Sequence, residues 1–107
     1  MSIYSYMNTV DITDVDRIVR TTSAFRLLSD PTRFKILCIL SRAPNGMCVY
    51  EIAEAVGITH SAASHQLSRL EDKKIVKCFR HGQSACYELT NTLFVKDLIT
   101  VMKSFKK

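Results

Sequence analysis

Apolar residues recur at intervals of three and four over the first third of the chain. Val15, Ile18, Val19, Thr22 and Phe25 fall on one side of a helix, with Arg17 and Arg20 off that stripe. The acidic segment from Asp11 to Asp16 suits the positive end of such a helix. Asp30-Pro31 predicts a second start, because Asp caps well and Pro has no N–H to lose at the first helical position. The stretch Thr32 to Ser41 is apolar on most sides and predicts a buried central helix. Ala43-Pro44-Asn45-Gly46 predicts the loop that ends it. A short helix is then expected from about Cys48 to Val56, with Ile52, Ala53 and Val56 as its apolar side. Gly57 stands where a left-handed residue closes a helix. Thr59 predicts the cap of the next helix, which runs to about Glu71. Its apolar side is Ile58, Ala62, Ala63, Leu67 and Leu70; its other side is His60, Ser61, Ser64, His65 and Ser68.

After Lys73-Lys74 the period changes from near four to two. Ile75 to Arg80 and Ser84 to Leu89 read as strands around a turn at His81-Gly82-Gln83. Thr90 or Asn91 is the expected cap of a last helix. That helix carries Leu93, Phe94, Val95, Leu98, Ile99, Val101, Met102 and Phe105, more apolar surface than one stripe needs, and so predicts a second subunit as partner. The fold expected is mainly α with a β-hairpin: a winged helix-turn-helix of about five helices and a two-stranded wing. No repeat or linker divides it. Residues 1–107 are read as one domain, with about 1–12 as a loose arm.

Length and composition agree with a single small domain of 107 residues that is 47% hydrophobic. The longest strongly apolar run, Ile36 to Leu40, is far short of the roughly 20 residues that a membrane span needs. The N-terminus has neither a basic nor an apolar signal region. A cytoplasmic protein without a membrane partner is therefore expected. The net charge is +5. Residues 1–57 balance six basic against six acidic side chains, whereas residues 58–107 carry nine basic and four acidic ones. All of the excess charge and all three histidines lie in the second half, which points to a polyanionic partner.

In a helix-turn-helix the second helix enters the major groove, and its N-terminal residues lie nearest the base edges. Here those are His60, Ser61, Ser64 and His65, compact donors and acceptors with no acidic residue before Glu71. Thr59 and the first N–H groups of that helix suit a phosphate. Arg69, Lys73, Lys74 and Lys77 offer positive charge to the backbone. The wing tip, with Arg80, His81 and Gln83, suits an adjacent minor groove. Taken singly, each of these residues reads better as a plain surface side chain or a cap; their order and shared charge point to double-stranded DNA. No nucleophile–base set, Gly-rich phosphate loop or HExxH is present, so an enzyme is not expected.

Leu28-Ser29-Asp30-Pro31-Thr32-Arg33, Cys48-Val49-Tyr50-Glu51-Ile52-Ala53, the run from Thr59 to Leu70, and Arg80-His81-Gly82-Gln83 with Tyr87 and Leu89 occur in that order. This ordered set resembles the ArsR/SmtB family of bacterial repressors over about residues 14–105. The resemblance implies a homodimeric repressor that leaves its operator on binding a metal or metalloid ion or on cysteine oxidation. It implies that the helices at about 14–28 and 92–105 form the dimer interface, and that His60, Ser61, Ser64 and His65 contact DNA. One departure is that Lys73-Lys74 stands where a Gly usually follows the recognition helix. The alternatives are a winged-helix regulator with no metal or thiol inducer, and a protein-interaction module.

The inducer is harder to read. Relatives that sense metals often have Cys-x-Cys at the start of the short helix; here Cys48 matches the first position and Tyr50 replaces the second. On the last helix only Asp97 is offered as a ligand, with no His after residue 81. Zinc needs at least three protein ligands. His60 and His65 are about 140° apart around a helix and do not converge. Any inducing ion would be a soft metal or metalloid, and no organic cofactor is expected. With no CxxC and no sign of secretion, reduced thiols are the default. Cys48, at a helix N-terminus where a thiolate is stabilised, is the main effector-sensing candidate. Cys38, Cys78 and Cys86 are weaker ones. Cys38 reads as core. A turn centred on Gly82-Gln83 sets Cys78 opposite Tyr87 and Cys86 opposite Phe79, on opposite faces; a one-residue slip would bring the two thiols together.

Overall fold

The computed structural model describes residues 11–105. The elements follow in the order α1 (Val15–Leu28), α2 (Pro31–Ser41), β1 (Met47–Cys48), α3 (Val49–Val56), α4 (His60–Asp72), β2 (Val76–His81), β3 (Ser84–Leu89) and α5 (Leu93–Ser104). Each helix start has a local cause. Asp14, Asp30, Thr59 and Thr92 each accept a hydrogen bond from the backbone N–H three residues on. Pro31 fills the first turn of α2. Thr92, rather than Thr90 or Asn91, caps α5. The Thr90 hydroxyl is engaged elsewhere, donating 2.8 Å to the Lys74 carbonyl and tying the end of β3 to the end of α4.

The sheet has three strands in the order β1-β3-β2, all antiparallel, not two. Met47 and Cys48 pair with Tyr87 and Cys86, a strand too short to show a period in the sequence. Gly46 precedes it at φ +82, and a Cβ there would lie 2.7 Å from both the Phe79 ring and the Tyr87 carbonyl. Only Gly fits beneath that ring in that conformation.

The core gathers Ile36, Leu37 and Leu40 of α2, Ile52 of α3, Leu67 and Leu70 of α4, Ile75, and Leu98 of α5. Burying each of these side chains is worth roughly 1.5–3 kcal/mol. Ile58 packs against this core as expected, but Ala62, read with the apolar side of α4, is exposed.

α1 departs from the expected burial. Ala24 and Leu27 are its buried residues, while Val15, Val19 and Phe25 are 66%, 55% and 50% exposed. The stripe seen in the sequence thus faces away from the core of its own chain. α5 buries Val95 and Leu98 and leaves Leu93 exposed, as is Phe105 just beyond its end. Most of the segment read as a loose arm lies outside the described residues. Its last part, Asp11 and Ile12, belongs to a turn in which the Asp11 carboxylate accepts from the Thr13 N–H and hydroxyl.

Candidate nucleic-acid interface

The turn between α3 and α4 is built on Gly57. It sits at φ +84 and closes α3 by donating its N–H to the Ala53 carbonyl. Ile58 donates to the same carbonyl, and Thr59 then starts α4. α4 is fixed by its buried side, Ala63, Leu67 and Leu70, each fully enclosed. That orientation exposes His60, Ser61, His65 and Arg69 and leaves Ser64 half-buried. The Thr59 Oγ1 accepts from the Ala62 N–H at 3.0 Å, so one lone pair serves the helix and its O–H is free to face a phosphate.

β2 and β3 leave the core as a hairpin with a two-residue turn, Gly82-Gln83, closed by the pair His81 and Ser84. Gly82 takes φ +62 there. The Arg80 Nη1 donates to the Gln83 carbonyl at 3.0 Å and braces the tip. Arg80, His81 and Gln83 are all exposed. Lys77 is also exposed, but its Nζ lies 3.3 Å from Glu88 across the strands, so part of its charge is already answered. Arg69, one turn beyond His65 on α4, also lines a cleft with Arg26 and Arg33. The candidate residues therefore form two exposed groups, the outward face of α4 and the wing tip, both carried by one core.

At the end of α4 the chain makes its turn without a glycine. Lys74 holds φ +62, the left-handed conformation that costs an L residue about 1–2 kcal/mol. Lys74 belongs to the Lys73-Lys74 pair, the point at which the sequence departs from an expected Gly.

The thiols are arranged differently from any simple expectation. The hairpin register is the one centred on Gly82-Gln83, with Cys78 opposite Tyr87 and Cys86 opposite Phe79. Cys86 is turned inward and meets Cys48 across β1 and β3, where the two form a disulfide with Cα atoms 3.7 Å apart. Cys48 thus departs from the reduced default and has a partner that sequence spacing does not reveal. It stands just before α3, and its N–H donates 3.0 Å to the Glu51 carboxylate. Cys38 and Cys78 are free thiols. Burial pushes the Cys38 thiol above its ordinary pKa, against a smaller opposite pull from Arg42. Tyr87 is pushed up to about 12, first by burial and then by the neighbouring Cys78. Among the described residues no three His, Cys, Asp or Glu side chains gather as metal ligands. With Cys48 committed to Cys86 and Tyr50 exposed beside it, the residues present do not fit a metal at the start of α3.

A short helix, a glycine turn, a polar-faced second helix and a hairpin define a winged helix-turn-helix protein. The model for bacterial regulatory proteins of the arsR family matches residues 30–77. The transcriptional repressor SdpR of Bacillus subtilis is 36% identical over 83 residues, covering 78% of this chain and 89% of SdpR. A repressor SmtB homolog of Synechocystis is 31% identical over 81 residues, 76% of this chain but 60% of that protein's length. The crystal structure of AntR, an antimony-specific transcriptional repressor, superposes with a TM-score of 0.75 at 27% identity, covering 97% of this chain and 93% of AntR. The chain belongs to the arsR family of bacterial regulatory proteins. These relatives are regulators of transcription, not enzymes.

Proposed function

We propose that the chain is a homodimeric, cytoplasmic repressor of transcription that binds double-stranded operator DNA as a single domain. Each α4 enters a major groove with His60, Ser61, Ser64 and His65 at the base edges, and half-sites lie about one helical turn, ~34 Å, apart. Arg80, His81 and Gln83 reach the adjacent minor groove, while Thr59, Arg69 and Lys77 serve phosphates. The observation that carries the reading is the outward face of α4. It offers four compact hydrogen-bonding side chains on a helix whose opposite side is fully enclosed. The exposed apolar stripe of α1, with Leu93 and Phe105 at the ends of α5, supports the dimer.

The signal we assign is oxidation of Cys48 and Cys86. Their two thiols lose two protons and two electrons to an oxidant such as a peroxide, which is reduced to water, and one S–S bond forms. A disulfide in a reducing compartment is usually transient and sensing. The bond joins β1 to β3 at the residue that starts α3, and α3 packs directly on α4. Its formation therefore bears on the pose of the recognition helix. A metal-binding step is not part of this mechanism.

The test is a titration of the reduced protein against DNA upstream of its own gene and against a scrambled duplex, at near-physiological salt. Tight binding to the first alone is expected, with release after mild oxidation and no release in Cys48→Ser. Replacing Ser64 and His65 together by Ala should cost about 1–3 kcal/mol of discrimination per lost base contact. Specific binding indifferent to oxidation would leave a regulator without a thiol inducer. Equal weak binding to both duplexes would favour a protein-interaction module.

A further inference from the structure

A cleft of about 480 Å³ opens between α1, α2, α4 and α5. Four cationic side chains line it: Arg26 of α1, Arg33 of α2, and Arg69 and Lys73 at the end of α4. No carboxylate is among its lining residues, and among the described residues the one side-chain ion pair is Lys77 with Glu88. Arg33 is held in place. Its Nε donates to the Leu27 carbonyl and its Nη2 to the Arg26 carbonyl, each at 3.0 Å. Those bonds fix the guanidinium plane and leave its other N–H groups available. Ser23 adds a hydroxyl, and the half-buried Phe94 gives the cleft an apolar wall, with the enclosed Leu70 behind it.

Four like charges lining a partly apolar recess repel one another, and among the described residues none of the four makes a side-chain ion pair. A bound anion relieves that repulsion. The volume is that of a small-molecule site, for which about 300–1,000 Å³ is usual. A bare surface patch for DNA needs neither the recess nor the apolar wall. We propose that this cleft binds a small organic anion, a phosphate monoester joined to a compact apolar group, with the phosphate among Arg26, Arg33, Arg69 and Lys73 and the apolar part against Phe94. The ligand joins the end of α1 to the end of the recognition helix. Its affinity is therefore coupled to the pose of α4, and by linkage the coupling runs in both directions.

The test is calorimetric titration of the full chain, without DNA, with phenyl phosphate, inorganic phosphate and benzyl alcohol. Saturable binding of phenyl phosphate is expected, about tenfold tighter than inorganic phosphate, with none for the alcohol. Arg26→Gln should weaken it by about tenfold or more. Lys73→Gln gives a second reading from α4; both substitutions keep the main-chain carbonyls that hold Arg33. Amide shifts at Leu70 and Phe94 on titration would place the ligand in the cleft. No saturable binding, equal binding of the two phosphates, or binding unchanged in both variants would overturn the proposal. A loss of about one unit of salt slope on a non-specific duplex in Arg26→Gln, without phenyl phosphate binding, would overturn it in favour of a DNA phosphate.

Discussion

In α4 the apolar residues Ala63, Leu67 and Leu70 are sealed in the core, and the outward face is left to histidine and serine. In α1 only Ala24 and Leu27 are sealed, and Val15, Val19 and Phe25 stand in solvent. Both helices show clear apolar spacing, yet the spacing serves different ends. α4 is anchored entirely within its own chain, so its polar face is free for recognition. α1 has more apolar surface than the described residues cover. An apolar stripe read from sequence says that a face is to be buried, not which molecule buries it.

The largest expected effect tests the first half of that comparison. Leu67→Ala removes a fully enclosed side chain and should cost about 2–5 kcal/mol in urea unfolding. A loss below about 1 kcal/mol would mean that α4 is not anchored as described. Next comes the second half. Phe25→Glu places a charge in the exposed α1 stripe, and dimerisation measured by sedimentation equilibrium should weaken by roughly 30-fold, with the helical signal unchanged. An unaltered mass distribution would remove α1 from the interface.

A third variant asks how firmly the sheet belongs to the anchored half. The raised pKa of Tyr87 means that its neutral form is favoured in the folded chain. That contribution is fully present below the ordinary value near 10 and is lost as pH rises towards about 12. The native chain should lose stability across that window, and Tyr87→Phe should lose less. Identical alkaline profiles would show the phenol to be better hydrated than its burial implies. The smallest effect is a gain. Lys74→Gly relieves the left-handed residue after α4 and should raise stability by about 0.5–1 kcal/mol without moving the dimer equilibrium. A decrease would mean that the Lys74 side chain contributes more than its backbone costs.

Much of this architecture was legible in the sequence, for reasons that can be named. Asp30-Pro31, Gly57 and Thr59 act within three or four residues of themselves, so their helix ends follow from local chemistry. The two strands of the hairpin follow from a period of two around a glycine turn, but their register stays open between two pairings one residue apart until the structure fixes it. What was not legible depends on contacts distant in sequence. β1 has two residues, too few to show alternation, so neither the third strand nor the Cys48 pairing with Cys86 leaves a local trace. The only hint was Gly46, whose need becomes plain once Phe79 lies over it. The placement of Arg69 beside Arg26 and Arg33 likewise comes from packing between helices, which a single helical wheel does not contain.

The strand order has a further consequence, for solubility. A sheet ordered β1-β3-β2 has two open edges, and open edges invite other chains to add on as strands. On one side β1 offers two residues, too short a template to extend. On the other, β2 is a six-residue edge, and Lys77 and Arg80 stand exposed along it. Charged side chains on an edge strand keep identical copies from stacking into a continuous sheet. Neutralising Lys77 and Arg80 together therefore does more than remove their proposed contacts to DNA: it also removes the guard on that edge, and the doubly neutralised chain should aggregate at concentrations where the native one stays clear.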